Sequence, residues 1–405
     1  MTAHKLDSDE PFFREWTHRS PGQVRSLSRA AQFRSLLPTL AHGHPPALVV
    51  VGSKGKGTAV AHATSVLAAA GLRVGTITSP PFRTNRERVR INGVALSPQQ
   101  YDQLASVVDH TLTLLGPATG GYLSPTGAYT LAGADFLTTA GADVLVLEEG
   151  LGGLSDEVSL FDPRAVTVTP IFAEHVGVLG ENIAQITADL LGVVTADTAQ
   201  VVTTTQLPEV AQMLRAVACG RVLEICEVPG IFTDAVPALG AANAAAGSAT
   251  GAWLAASLGR ALDHDAVARA AARVRLPGRL SVHRPAGRLL GTWVADAAIS
   301  PAGIDAALRW CTDHVGTPDA VLASFPDSKD AKACFHALRD LPVQAVTAGA
   351  GHLRFDTWPG SGPLTGTGPA FADADREPGV VLALGTISFI AEVLDHVDAE
   401  TEAWW

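Results

Sequence analysis

The sequence predicts an α/β protein of two domains, each built around a mostly parallel sheet. Short apolar runs rich in β-branched residues alternate along the chain with stretches of helical periodicity, which is the order of a βαβ series. A glycine-rich loop with a lysine follows the first of these runs and opens an alanine-rich helix. The length of 405 residues is enough for roughly two or three domains.

The elements of the first domain follow in chain order from these patterns. The apolar run at 47–52 predicts a buried strand, and the helical pattern over 58–70 ends at Gly71. In the segment 86–91 three arginines alternate with other residues, so we expect them on one strand face, a solvated face rather than an anion-binding one. The same patterns predict strands over 73–78, 86–91, 143–148, 165–169 and 200–204 and a helix over 239–258.

The second domain is predicted to begin where proline and glycine cluster, over 277–291. We place the boundary so that residues 1–282 form the phosphate-loop domain and residues 283–405 the smaller C-terminal domain. The Gly/Pro-rich segment 352–375 is expected to be a surface loop. The predicted elements are strands over 291–296, 320–325, 343–347 and 380–384 and helices over 302–311, 331–339 and 387–396.

Composition excludes several classes of function. A net charge of −11 argues against general binding to nucleic acid or anionic membranes. The uncharged run 236–258 is dominated by alanine and glycine, which favours a buried helix over a membrane span. The polar N-terminus lacks the apolar core of a signal peptide. The cysteines have no metal-like spacing, so we expect reduced thiols in a cytoplasmic protein: Cys219, Cys226, Cys311 and Cys334.

The strongest chemical signal is the segment GSKGKGT at residues 52–58. Its glycines let the backbone turn tightly, so that N–H groups and the helix N-terminus face an anion. Lys56 is placed to reach the outer phosphates of a nucleotide, and the Thr58 hydroxyl to bind the accompanying Mg²⁺. The sequence therefore predicts a phosphate site formed by Gly52, Ser53, Gly55, Lys56, Gly57 and Thr58.

Further polar residues follow other predicted strands. Ser79 lies in TSPP at 78–81, Glu148 begins EEGLGG at 148–153, and His175 follows Glu174. The carboxyl ends of parallel strands meet at one sheet edge, so these groups suit a magnesium and phosphate environment. Each also has a structural alternative. Glu148 could be a satisfied buried carboxylate, His175 a core or surface histidine, and Ser79 a turn cap before Pro80.

At this point the chain resembles the folylpolyglutamate and dihydrofolate synthases of the Mur ligase superfamily. The family motifs GTNGKGS, TSPH, NERIRING, EVGLGG and DH are matched in order at residues 52–58, 78–81, 86–93, 148–153 and 174–175. The resemblance implies a Mur-ligase-like fold, with a P-loop ATPase domain and a smaller Rossmann-like C-terminal domain. It also implies ATP and Mg²⁺, with a substrate carboxylate attacking the γ-phosphate and an amine then attacking the acyl phosphate.

The resemblance also implies roles for single residues. Lys56, Glu148 and His175 would be catalytic. Thr58 would lie near the phosphates and the metal, and the remaining metal ligands would be Ser79, Glu148 and His175. The nucleotide would be contacted through phosphate, adenine and ribose by Arg279, Asn243 and Asp296, respectively.

Several departures from the family indicate a rewritten acceptor half. Leu190 stands where the family has a carbamylated lysine that binds a second Mg²⁺, with Asp189 and Glu174 as possible substitutes. Ile299 replaces a histidine linked in the family to the incoming glutamate. The other departures are Leu154, Ser159 and the pair Leu239-Gly240.

We therefore expect an ATP-dependent ligase that joins a small-molecule carboxylate to an amine, with an altered acceptor site. Two alternatives remain open: a true folylpolyglutamate or dihydrofolate synthase, and a catalytically silent ATP-binding homologue that serves as a partner subunit. The oligomeric state is left open.

Overall fold

The described residues form two sheets. The structure is a computed structural model, and it describes residues 8–225, 228–230, 232, 240–284, 291–348, 353–356, 364–376 and 379–405. The first sheet holds eight strands in the order β4-β3-β2-β5-β1-β6-β7-β8. Its strands are β1 (Ala47–Val51), β2 (Val74–Ile77), β3 (Val89–Ile91), β4 (Val94–Ala95), β5 (Val144–Glu148), β6 (Ala165–Val168), β7 (Gln200–Thr204) and β8 (Val222–Ile225).

The second sheet holds six strands in the order β13-β12-β11-β14-β10-β9. Its strands are β9 (Arg279–His283), β10 (Thr292–Asp296), β11 (Ala320–Ser324), β12 (Val343–Thr347), β13 (Thr365–Gly366) and β14 (Val380–Gly385). Strand β9 pairs antiparallel with β10, whereas the other neighbours in this sheet are parallel. In the first sheet the antiparallel pairs are β2–β3 and β3–β4, at one edge.

Helices cover both sheets. They are α1 (Glu10–Thr17), α2 (Leu27–Leu36), α3 (Lys56–Ala69), α4 (Pro98–Leu115), α5 (Pro125–Thr139), α6 (Ile183–Leu191), α7 (Pro208–Ala218), α8 (Ala241–Ser257), α9 (His264–Ala272), α10 (Pro301–His314), α11 (Ala331–Ala337), α12 (Thr367–Ala374) and α13 (Ile387–His396). Short 3₁₀ turns lie at Leu40–His42, Asn85–Arg88 and Glu157–Leu160.

Strand β1 lies at the centre of the first sheet and is buried along its whole length. Ala47, Val49 and Val51 belong to the core on one face, and Leu48 and Val50 to the core on the other. This is the two-residue alternation of a strand that is covered on both sides. The loop that follows β1 therefore leaves a rigid support.

Helix α8 packs closely on α3, the helix that follows this loop. A Cβ atom at Gly247 would overlap the Ala59 carbonyl, and one at Gly251 would come within 2.9 Å of the Ala63 oxygen. The contact therefore depends on small residues, which fixes α8 beside the start of α3.

The predicted α/β architecture with two mostly parallel sheets is confirmed. Predicted bounds match for 200–204, 343–347 and 387–396, and the other predicted elements found here lie within a few residues of their predictions. The helix predicted from Leu239 begins at Ala241, and Leu239 and Cys226 lie outside the described residues.

Two segments were predicted wrongly. Residues 86–88 form part of a 3₁₀ turn rather than a strand, because the Thr84 and Glu87 side chains close a capping box. Arg88 and Arg90 are buried instead of solvated: Arg88 lies over the Tyr129 ring, and Arg90 donates to the backbone carbonyls of residues 401 and 402.

The second wrong prediction is the surface loop over 352–375, where the described residues 364–375 include β13 and α12. Ala370 and Phe371 of α12 pack into the second domain's core, which makes this segment helical despite its glycine and proline content. Residues 349–352 and 357–363 lie outside the described part of the chain.

The division at residue 282 remains a prediction. Strand β9 extends across that proposed boundary and pairs with the second sheet. In the described residues no helix combines the length and the apolar character needed to cross a membrane. Cys219, Cys311 and Cys334 are free thiols.

Candidate nucleotide and metal site

The phosphate loop connects β1 to α3 through two glycines in the left-handed region. Gly52 has φ of 136° and Gly55 has φ of 89°. A Cβ atom at Gly52 would overlap the Thr169 hydroxyl, and one at Gly55 would overlap the Asn243 side chain. Only glycine fits both the backbone angle and the space, so the loop shape is set by its neighbours just after β6 and on α8 as well as by its own sequence.

Lys56 is largely buried at the start of α3. Its Nζ donates to the Gly52 carbonyl at 2.7 Å and lies 2.8 Å from Glu149 Oε1. Burial lowers the pKa of Lys56, but the carboxylates of Glu149 and Glu148 outweigh this effect and raise the pKa above its ordinary value. The lysine is therefore charged and turned toward its own loop. Glu149 was not among the predicted site residues, although the tandem acids at a strand end were visible in the sequence.

Glu148 and Ser79 are neighbours on adjacent strand ends. The Ser79 N–H donates to Glu148 Oε2 at 3.2 Å, and Arg88 donates to Ser79 Oγ at 3.0 Å. Burial raises the pKa of Glu148 to about 7, against the lowering effect of Lys56. A buried carboxylate and a hydroxyl are oxygen donors of the kind that Mg²⁺ binds, and a divalent ion would favour the ionised form of Glu148. These two residues are therefore candidate magnesium ligands.

His175 lies on the other side of the loop. Its backbone is in the left-handed region with φ of 57°, and burial lowers the pKa of its imidazole. With Lys56, Glu149 and Leu190 it lines a cavity of about 20 Å³. Among the described residues, no group of three His, Cys, Asp or Glu side chains could hold a metal ion. The structure thus brings Ser79 and Glu148 together but does not add His175 to them.

A cavity of about 390 Å³ lies between the two sheets and is lined by five of the predicted nucleotide residues. The first domain contributes Gly55, Thr58 and Asn243 to its lining, and Arg279 and Asp296 lie on the strands of the second sheet. This volume is in the range of small-molecule sites. Ser53 does not line it, because its hydroxyl exchanges hydrogen bonds with the Phe172 backbone at 3.1 Å.

Asp296 is held at the C-terminal end of β10. Its carboxylate accepts a hydrogen bond from the Leu280 N–H at 2.8 Å. Burial raises its pKa to about 6, although Arg279 lowers it. A carboxylate fixed in this way can accept hydrogen bonds from hydroxyl groups in the cavity.

Known proteins show what this chain is related to. No protein-family model matches it. A dihydrofolate synthase/folylpolyglutamate synthase of Bacillus subtilis is 31% identical over 211 residues, or 50% of this chain and 47% of the relative. The Mycobacterium tuberculosis protein of the same name is 29% identical over 322 residues, or 69% of this chain and 65% of the relative. The chain is a homologue of the folylpolyglutamate synthases.

Solved structures agree on the fold. A folylpolyglutamate synthase of M. tuberculosis complexed with ADP and AMPPCP has a TM-score of 0.78 and 21% identity, covering 97% of this chain and 100% of that one. The apo form of the L. casei enzyme has a TM-score of 0.80 and 19% identity, with the same coverage. The sequence matches, however, span less than two thirds of the curated relatives' own lengths.

This homologue differs from the family pattern at positions that the structure now locates. Leu190 is buried, and Ile299 lines the large cavity. Leu154, where the family has arginine, is exposed to solvent. Glu174 pairs with Lys54 and lies near Lys329, a contact between the two domains that the sequence did not predict.

Proposed function

We propose that this homologue is an ATP-dependent ligase that joins a carboxylate to an amine through an acyl-phosphate intermediate. One observation carries the proposal. The charged Lys56 lies at the phosphate loop together with Glu148 and Ser79, beside the interdomain cavity. One of the related structures was solved with ADP and AMPPCP, which supports ATP as the nucleotide. The alternative of a true folylpolyglutamate synthase is favoured by the names of the relatives.

In this proposal ATP occupies the interdomain cavity with its phosphates against the loop. Arg279 and Thr58 contact the phosphates, Asn243 the base and Asp296 the ribose hydroxyls. Glu148 and Ser79 would hold Mg²⁺, which when bound would neutralise charge on the phosphates. Arg88 fixes the Ser79 hydroxyl in place.

Lys56 stabilises the charge that develops on the transferred phosphoryl group. Its ammonium is held by Glu149 and the Gly52 carbonyl, so it needs little reorganisation when the substrate carboxylate attacks. His175 stays a candidate contact to the terminal phosphate or to the metal, because it lines the small cavity beside Lys56. The cavity between the two domains would hold acid and amine in line.

The acceptor is proposed to differ from the family's glutamate. Ile299 places an apolar side chain in the large cavity, so this position offers no ion pair to a charged amino acid. We further propose a cytoplasmic enzyme acting on small molecules, since free thiols are typical of reducing compartments.

The test is release of ADP and phosphate with ATP, Mg²⁺ and a panel of acids and amines. We expect turnover that requires one acid and one amine together. Lys56→Met should abolish it, and the matched change at an exposed lysine of α11, Lys332→Met, should not. Turnover with folate and glutamate alone would select the folylpolyglutamate synthase alternative. ATP binding without turnover on any pair would select the silent partner subunit.

A further inference from the structure

The second metal ion that the family resemblance implies has no fitting residues in the described part of the chain. Leu190 stands at the position of the carbamylated lysine, with 2% of its surface exposed, in the main apolar core. A leucine side chain has no donor atom for a metal. The cavity that Leu190 lines has a volume of about 20 Å³, which is barely more than the space that one water molecule needs.

The first possible substitute, Asp189, is already committed to the glycine-rich turn after β5. Its carboxylate accepts hydrogen bonds from the Gly153 N–H at 2.9 Å, the Ser155 N–H at 3.1 Å and the Ser155 hydroxyl at 3.0 Å. These bonds hold the turn together. Three of the roughly four acceptor sites of this carboxylate are thereby occupied, which leaves little for a metal ion.

The second possible substitute, Glu174, is neutralised by two lysines. Its Oε1 lies 2.6 Å from Lys54 Nζ and 3.9 Å from Lys329 Nζ, so it joins the phosphate loop to the second domain. Glu174 is only 15% exposed in its side chain, whereas Lys54 is 53% exposed. A carboxylate that is paired with two cations is a poor ligand for a third.

Lys54 is itself a departure, because the family motif has asparagine at this position. Lys54, Glu174 and Lys329 all line the large cavity, at the end formed by the phosphate loop. Lys56 has its own carboxylate in Glu149, whereas Lys54 and Lys329 share one. The mouth of the phosphate site therefore carries an excess of positive charge, which attracts the terminal phosphates of a triphosphate.

We propose that this chain binds one Mg²⁺ with its nucleotide, and that the Lys54 ammonium, with Lys329 beside it, supplies at the terminal phosphate the charge that a second metal ion would give. A lysine ammonium is a mobile point charge with three donors, well suited to a phosphate oxygen. This inference rests on the proposed function, because it takes a nucleoside triphosphate as the ligand.

The metal count is tested with the full chain and AMPPCP, which needs no turnover. Mn²⁺ is titrated into protein saturated with AMPPCP, and free Mn²⁺ is counted by electron paramagnetic resonance. We expect one Mn²⁺ per protein chain, and two would overturn the inference. If the wild-type protein binds no AMPPCP at all, both the proposed function and the inference fail. If it binds AMPPCP together with two Mn²⁺, only the inference is overturned.

The role of Lys54 is tested by replacing it with the family residue. Lys54→Asn should weaken binding of AMPPCP about tenfold at saturating Mg²⁺ and leave binding of AMP within about twofold, as expected for loss of one charge-assisted contact to the outer phosphates. Lys332→Asn is the control for loss of an exposed lysine, and it should change neither affinity.

Glu174→Gln separates phosphate binding from a merely structural role. It keeps the Lys54 ammonium but removes its carboxylate, so AMPPCP should bind as tightly as to the wild type or more tightly. If Glu174→Gln instead reproduces the loss seen with Lys54→Asn, Lys54 acts only by anchoring Glu174 and the inference is overturned. Equal loss of AMP and AMPPCP affinity in Lys54→Asn overturns it as well.

Discussion

Replacing Lys56 with methionine should destabilise the protein even without any ligand, because the lysine neutralises buried acids. Its Nζ lies 2.8 Å from Glu149 Oε1, and the Glu149 side chain is 3% exposed. Burial raises the pKa of both Glu149 and Glu148 to about 7 even with the ammonium present. Removing one partner of a buried ion pair lowers the free energy of unfolding by about 3–5 kcal/mol. We expect Lys56→Met to lower the free energy of unfolding by about 3 kcal/mol at pH 8.

The loss should depend on pH in a defined direction. A carboxyl group with a pKa of 4.5 unfolded and about 7 folded takes up its proton first in the folded state. Its contribution to stability is fully present below about pH 4.5 and is lost as the pH rises through about 7. Protonation of Glu149 at pH 6 removes part of the uncompensated charge in the variant. The difference between Lys56→Met and wild type should therefore be smaller at pH 6 than at pH 8.

A double variant separates stability from catalysis. Lys56→Met with Glu149→Gln removes both charges, and we expect it to recover at least half of the lost stability. It should still release no phosphate, because the proposed catalytic ammonium is gone. Urea unfolding at pH 6 and pH 8, followed by circular dichroism, measures the three proteins. A Lys56→Met variant as stable as wild type at pH 8, or a double variant no more stable than Lys56→Met, would refute the reasoning.

Three further predictions follow from other contacts. Binding of AMPPCP with Mg²⁺ should release about half a proton at pH 7, because the metal would ionise Glu148, whose pKa is about 7. Calorimetry in buffers of different ionisation enthalpy measures this proton release. The release should vanish in the Glu148→Gln variant. Gly247→Val should lower the unfolding free energy by about 2–3 kcal/mol in urea titrations, since its side chain would overlap the Ala59 carbonyl; an unchanged midpoint would contradict the packing described here. Arg90→Met should expose residues 401–405 to carboxypeptidase, because Arg90 holds the carbonyls of 401 and 402; equal digestion rates for variant and wild type would contradict that role.

The central strands could be predicted from the sequence because they are buried on both faces. In residues 200–204, four β-branched residues follow Gln200, so the strand can be recognised from one short window. The helices α1, α2, α4 and α5 were not predicted, although Ser97 and Ser124 each cap a helix that starts with proline. Those caps were visible signals, since serine followed by proline marks a helix start.

The segment around Arg88 shows where a pattern gives the wrong answer. Alternating arginines have the two-residue period of a strand. Thr84 and Glu87 have the spacing of a capping box, and the segment forms a 3₁₀ turn with that box at its start. The buried arginines found partners at the chain's end and on Tyr129. Such partners are more than forty residues away in sequence, so no local window contains them.

The phosphate loop could be predicted, but its partners could not, because they depend on strand order. Strand β5 lies between β2 and β1 in the sheet. Glu148 at its end is therefore beside Ser79, which follows β2, and Glu149 is beside Lys56, which follows β1. Parallel strands pair through long crossovers, so the sequence shows each acid near a strand end without showing which loops it meets.

The departures at Leu190 and Lys54 make sense together as a balance of charge. A carbamate carries one negative charge and a divalent metal two positive charges, so losing both removes one net positive charge from the site. A lysine in place of the family's asparagine returns one positive charge at the same loop. If the chain binds a single Mg²⁺ as proposed, the two changes together leave the charge at the phosphate loop unaltered, whereas either alone would shift it. On this reasoning Lys54→Asn should harm nucleotide binding more in this chain than loss of one exposed lysine would, since no metal-binding oxygen at Leu190 can compensate for it.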